Sequence, residues 1–400
     1  MISVFDPNVW KRHLENDIMP FWRSPGLLGE PLGNFPTYAD LNGVPVPGKP
    51  HYMRMQGRQI YVYLEAASIL ECPAYLKYAE AGFRWLETHA RNPHGGYYPL
   101  LSPEGKPIKS AITIQDLCYI VFPYMHLYRR TGNTDNLKPV LEVIRLILDK
   151  YLCEGRMYDA MDEEYTRRCE FEGDSLNVVS VLDFMNLLLI PLLKLENVND
   201  VFPEGIDVLE RMLDLLVGGF WSEGIFWNDS RNRTDYTAKH VDMGHTSKAY
   251  GIVWDANRIL AEKGLDVKYH DLEGYYMPML QAASDAEIGW KTDFRSSSCT
   301  FSEGAVQWWR YILINQVAAR YALVYEEVLP LLKNGLEHWF SMPFVDSSRE
   351  VRGIREGLRK DGTIWEDDDS FTSKANLWKN GYHEVEHVAS MLQFIEKIRV

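Results

Sequence analysis

What most restricts the fold of this chain is a rhythm in its connections. Helix-like stretches are separated by links that alternate between a few residues and roughly 17 to 40. The first helix is expected after Asp6, with Pro7 at its first position and Val9, Trp10, His13, Leu14, Ile18 and Phe21 on one face. Further helices are expected near 52–71, 74–90, 112–131, 134–152, 175–196, 204–217, 243–260, 271–284 and 303–322, then from a break at Tyr325 to about Trp339, and over 382–398. Cys72-Pro73 and Gly132-Asn133 are tight breaks, whereas the long links are rich in glycine, proline and aromatic residues, with a hairpin expected over Gly95–Gly105. A short link joins antiparallel neighbours, so all the long ones must fall at one end of the array. No composition shift divides the chain. The expectation is an all-α protein, one catalytic domain over residues 1–400: an (α/α)6 barrel of six helical hairpins, with long loops and short hairpin strands on one face. An α-solenoid is the competing architecture, but no fixed-period repeat supports it.

Composition narrows the function classes. Hydrophobic residues make up 46% and charged residues 24%, as in a globular protein, while a net charge of −14 argues against nucleic acid or an anionic membrane as partner. No segment approaches the roughly 18 apolar residues of a membrane span. The five cysteines (Cys72, Cys118, Cys153, Cys169, Cys299) are widely spaced and form no Cys-x-x-Cys, so no zinc site is expected. With an opening Met-Ile-Ser-Val-Phe-Asp-Pro that lacks a secretory pattern, they point to a reducing, cytoplasmic setting.

The even-numbered helices, each preceded by a long loop, should start on one face, and they carry the conspicuous polar groups. Arg58, with Gln56 and Gln59, lies in the first turns of the second helix. His245 opens the eighth behind the candidate cap Asp242, Glu303 opens the tenth, and His383 opens the twelfth. Two histidines, an arginine and a glutamate suit proton abstraction beside a carbonyl: a base takes the C–H proton, a cation steadies the enolate, and an acid returns the proton. Each residue also has a plain structural reading, as a cap or a core hydrogen-bonder. His383 and His387 stand at i, i+4, but Glu384-Val-Glu386 between them is not the zincin arrangement, and no dinucleotide or phosphate-loop motif is present, so neither metal nor cofactor is expected.

At these residues the chain resembles the N-acylglucosamine 2-epimerase superfamily, which includes cellobiose 2-epimerases and aldose–ketose isomerases. Trp10–Trp22 looks like its opening helix. Gln56-Gly-Arg-Gln59 looks like its Gln-Gly-Arg-Gln motif, Gly95-Gly-Tyr-Tyr98 with Gly105-Lys-Pro107 like its hairpin, Gly244-His245 like its Gly-His-x-x-Glu, and Trp378-Lys-Asn-Gly-Tyr-His383 like its closing Trp-Lys-Gly-x-Tyr/Phe-His. The resemblance implies a six-hairpin barrel and epimerisation or isomerisation of a reducing sugar without a redox cofactor. In it His245 and His383 transfer protons, Arg58 and Glu303 support them, and Gln56, Gln59, Tyr52, Lys248, Trp378 and Lys379 contact substrate. A homodimer fits the same picture. Two departures stand out: Lys248 replaces the family glutamate, and Ser298-Cys-Thr-Phe-Ser-Glu303 lacks the tryptophan pair expected before the glutamate. They motivate a second reading, a carbohydrate-binding or regulatory protein on an altered barrel. A glycoside hydrolase is the third; it needs two opposed carboxylates, and Glu303 has no evident partner.

Overall fold

The computed structural model describes residues 3–169, 177–196, 198–228, 241–295, 300–301, 305–365 and 373–399. Helix α1 is capped by Asp6, whose carboxylate accepts from the Asn8 N–H, and runs as Pro7–His13, a π turn at Leu14–Ile18, and Met19–Trp22. There follow α2 (Met53–Ile69), α3 (Ala74–His89), α4 (Ile114–Thr131), α5 (Lys138–Lys150) and α6 (Val178–Asp183, a π turn at Phe184–Leu189, then Ile190–Leu193). The second half contributes α7 (Gly205–Phe220), α8 (Met243–Glu262), α9 (Glu273–Ala283), α10 (Trp308–Ala322), α11 (Val328–Ser341) and α12 (Tyr382–Arg399).

The even helices pack side by side in chain order, and α12 returns to α2, closing an inner ring. Each odd helix from α3 to α11 packs on the inner helix before it, while α1 covers α12. Two sequence textures follow from these places. Outer α5 buries only Pro139, Val140, Val143, Ile144 and Ile147, one stripe at helical spacing. Inner α2 is buried at every position from Met53 to Leu64, so the polar residues within it must find partners or face the barrel interior.

At the N-terminal ends of the inner helices the long loops form a second ring. His51–Tyr52, just before α2, pairs with Leu100–Leu101 in the loop before α4; Ile112–Thr113 pairs with Ala160–Met161 in the next loop. Val178 N–H donates to the Asn228 carbonyl, Asp242 bridges Asp293, and Val306–Gln307 pairs with Gly357–Leu358. A bridge from Ala39 to Ala375 joins the last loop to the first. Each loop thus holds the start of the helix beside it, which fixes the first turns where the polar residues lie.

Three expectations change. The tenth helix begins at Trp308, not near 303: the backbone of Val306–Gln307 is already paired in its ladder, and the Trp308 N–H donates to the Glu356 carbonyl at 3.1 Å. The stretch read as a Gly95–Gly105 hairpin spends Leu100–Leu101 on His51–Tyr52, leaving only single bridges, Arg91 to Tyr97 and Leu101 to Pro107, around it. The sixth helix contains a π turn that periodicity alone does not reveal.

Candidate active site

Two glycines set the spacing of the inner wall. A Cβ on Gly57 would meet the Tyr119 carbonyl oxygen at 2.0 Å, so glycine lets α2 and α4 cross closely. The next residue, Arg58, then lays its guanidinium on the Tyr119 ring, 3.7 Å from its centre, and donates to the Trp378 carbonyl at 3.2 Å. Likewise a Cβ on Gly244 would meet Trp309 at 2.8 Å and the Arg310 Cα at 2.9 Å. That close approach of α8 to α10 brings the His245 ring 4.8 Å from Trp309, whose other neighbour is His383, at 6.4 Å between ring centres.

The two histidines live in different surroundings. Asp242 caps α8 through Oδ1, which accepts the His245 N–H at 2.8 Å, while its Oδ2 faces His245 Nδ1 at 2.7 Å. Burial works against that carboxylate, yet His245, Arg310 and the cap N–H outweigh it and hold its pKa well below the usual range. Arg310 Nε lies 3.8 Å from Asp242, and the same guanidinium is ion-paired to Asp293. Because an ionised carboxylate only accepts, Nδ1 of His245 is the donor in this contact and Nε2 is the nitrogen turned away from Asp242. His383 is mostly buried, its side chain 12% exposed: burial pushes its pKa down to about 4, and the charges of Arg58 and Lys248 add to this against the pull of Glu386. Its Nδ1 is 3.7 Å from Glu386 Oε2, longer than a hydrogen bond, while the other carboxylate oxygen, Oε1, accepts from the Tyr382 hydroxyl at 2.7 Å.

Lys248 pairs with Asp183 of α6, both buried, and Asp183 also accepts from Gln115 of α4 at 3.1 Å. Burial alone would lower the Lys248 pKa, but Asp183 and Tyr119 outweigh it and raise it, so the ammonium stays charged. The charge that differs from the resembling motif is therefore matched by a carboxylate one helix away, a partner that adjacent sequence could not reveal.

The remaining site expectations separate into wall and mouth. Gln56 is committed to the protein: its amide donates to the Gly33 and Gly82 carbonyls at 2.6 and 3.2 Å and accepts from the Phe35 N–H at 3.1 Å. Gln59 is buried beside Tyr63. Lys379, fully buried, pairs with Glu384 and lies over the Trp308 ring at 4.2 Å. Toward the mouth, Arg54 is sandwiched between Tyr52 and Trp378, 5.2 and 4.6 Å from their ring centres, and pairs with Asp116 at 3.3 Å. Trp378 is 53% exposed, an unusual state for a tryptophan held over a cation. Glu303 lies outside the described residues. His387 belongs to the core, between Trp10, Trp339 and Asn315. The tryptophan pair not found before Glu303 stands after it, as Trp308-Trp309 in the first turn of α10. Asp183, Asp242 and Arg310 complete the set and were not singled out as site residues from sequence; for Asp242 the signal was its cap position three residues before His245.

Among the described residues no helix is long and apolar enough to cross a membrane, and no group of three acidic, histidine or cysteine side chains is placed to hold a metal.

Residues 33–177 match the family model of N-acylglucosamine 2-epimerase (GlcNAc 2-epimerase). No curated protein matches the chain by sequence. Among solved structures, cellobiose 2-epimerase from Spirochaeta thermophila is similar with a TM-score of 0.82 at 16% identity, over 98% of this chain and 97% of that one. Cellobiose 2-epimerase from Bacillus thermoamylovorans gives 0.79 at 16% identity over 98% and 99%, and a D-mannose isomerase gives 0.79 at 14% identity over 98% and 99%. At such identities these likenesses speak to the fold, the closed double ring described above.

Proposed function

Because the chain belongs to the N-acylglucosamine 2-epimerase superfamily, we propose that it interconverts reducing sugars by histidine-mediated proton transfer at C2. The observation that carries this reading is the pair of imidazoles at the starts of α8 and α12, with ring centres 4.8 and 6.4 Å from that of Trp309. In the open-chain sugar the C2 proton is acidified by the neighbouring carbonyl, and its removal leaves an enediolate. A histidine near neutrality is suited to take that proton. The negative charge then developing on oxygen needs a fixed cation. Arg58 supports this role: it is buried, stacked on Tyr119, has no carboxylate within ion-pair distance among the described residues, and its Nε is unpartnered there. Trp378, exposed above Arg54, offers an apolar face to a sugar ring.

The test is to incubate the protein with reducing sugars (glucose, mannose, N-acetylmannosamine, cellobiose) in D2O and follow C2 by NMR. Exchange should fall on the order of 100- to 10,000-fold in His245→Ala and in His383→Ala, the usual worth of a positioned acid–base group. Sugar binding with no exchange at all would defeat the enzymatic reading in favour of a binding protein on the same barrel.

A further inference from the structure

If the two histidines work as proposed above, the second needs a partner that the first already has. A histidine that exchanges protons through one ring nitrogen must have the other nitrogen held, because that contact fixes ring orientation and tautomer. For His245 the holder is Asp242, 2.7 Å from Nδ1. For His383, Nδ1 is buried without a hydrogen bond among the described residues, and it faces Glu386 Oε2 at 3.7 Å. A polar nitrogen buried in this way is costly unless a partner reaches it. Glu386 stands three residues further along α12, and residues three apart on a helix share a face.

The carboxylate is prepared for that contact. Its Oε1 accepts from the Tyr382 hydroxyl at 2.7 Å, which anchors one oxygen and leaves Oε2 toward the imidazole. Burial opposes its ionisation, but His383, the Tyr382 hydroxyl and the Lys248 ammonium outweigh burial and hold its pKa below the usual range. Among the described residues, the charges acting on His383 are Arg58 from α2 and Lys248 from α8, which disfavour an imidazolium, and Glu386, which favours one. The chain thus carries lysine three residues after its first site histidine and glutamate three residues after its second, and each favours the other's charged form.

We propose that Glu386 is the positioning residue of His383: its Oε2 accepts the Nδ1–H as the sugar fills the site, making a second carboxylate–imidazole pair beside Asp242–His245. A small rotation about the terminal bond of Glu386, a soft torsion, closes the gap. Contacts of this kind are commonly long before substrate binds and tighten in its complex. Glu386 breaks no bond. The proton stays on Nδ1, Nε2 exchanges a proton with the sugar, and the carboxylate balances the imidazolium that forms. Lys248, which departs from the resembling motif, then has a use in the site as a cation that helps keep Glu386 charged.

The experiment compares the wild type with Glu386→Gln. Glutamine keeps an acceptor for Tyr382 and turns an N–H2 toward Nδ1, which selects the opposite tautomer. Nitrogen-15 NMR at pH 7, with the His383 signals identified by their loss in His383→Gln, should show the Nδ1–H tautomer in the wild type and the Nε2–H tautomer in Glu386→Gln. With a reducing sugar that exchanges at C2, kcat of Glu386→Gln should fall on the order of 100-fold, the lower end of what a positioned acid–base group contributes, while KM and the thermal midpoint are kept. Adding that sugar to the wild type should move the Nδ1–H proton signal downfield. An Nε2–H tautomer in the wild type, or a kcat unchanged in Glu386→Gln, overturns the proposal. If Glu386→Gln does not fold, the wild-type tautomer and its response to sugar decide the matter alone. A wild type that exchanges no sugar at C2 defeats the proposed function instead, and the tautomer of His383 still decides the pairing.

Discussion

Two ends of the same inner helices carry charge in opposite ways. At the long-loop end, Lys248 and Asp183, from the first halves of α8 and α6, pair with side chains 8% and 1% exposed. At the short-link end, Asp255 further along α8 is shared by Lys194, 46% exposed at 3.1 Å, and Arg320, 35% exposed at 3.3 Å. These groups line an open cleft of about 450 Å3 with Trp254, Arg258, Glu262 and Lys397. The contrast is between a pair in which both charges are dry and a carboxylate, itself only 16% exposed, whose two cations reach out into water. A buried pair gains little net stability over apolar side chains, but it commits the structure to having both partners, whereas an exposed pair commits it to almost nothing.

The largest effect should come from breaking the buried pair on one side. Lys248→Met leaves the Asp183 carboxylate without its ammonium and should cost about 3–5 kcal/mol in urea unfolding. Lys248→Met with Asp183→Leu should recover most of that loss, and a double variant as unstable as the single one would show that the pair does more than neutralise itself. Lys248→Glu, the exchange that would recreate the family motif, sets two carboxylates together and should destabilise as well; it would need Asp183→Asn beside it to be a fair test of activity.

A second effect depends on pH. His383 has a folded-state pKa of about 4 against its ordinary 6.5. Between these values the unfolded chain binds a proton that the folded one refuses, so stability rises with pH across that window and is lost as pH falls through it, by about 3 kcal/mol for this group. His387, pushed down by burial and by His13, adds in the same direction. Comparing wild type with His383→Gln at pH 7 and pH 4.5, the drop in urea midpoint should be smaller in the variant; an equal drop would show that His383 is more accessible to protons than its burial indicates. The smallest effect belongs to the open end. Lys194→Ala should cost about 1 kcal/mol or less, and 1 M salt should erase the difference.

How much of this could be read in advance differs from residue to residue. Arg58 and His245 were legible because a glycine precedes each and a long loop precedes each helix, placing both in first turns. His383 was legible from the same loop rhythm and from its Trp378-Lys-Asn-Gly-Tyr setting. Gln56 was legible as a motif but not in its use, because only the folded loops bring the Gly33 and Gly82 carbonyls to its amide. The start of α10 was misplaced because a two-residue strand pairing with Gly357–Leu358, some 50 residues on, leaves no local signature.

The sequence by itself determined the class of fold and the direction of the helices, because helical period, breaks and loop lengths are local properties that survive in any context. It also determined which residues stand at the starts of α2, α8 and α12, though not of α10. Only the tertiary structure decided what charge each of them faces. Asp183 answers Lys248 across 65 residues, and Arg310 answers Asp242 across 68, while Glu386, three residues from His383, gives one oxygen to Tyr382 and faces His383 with the other. Electrostatic partnership depends on distance in space and on burial, and neither is written in the order of the chain.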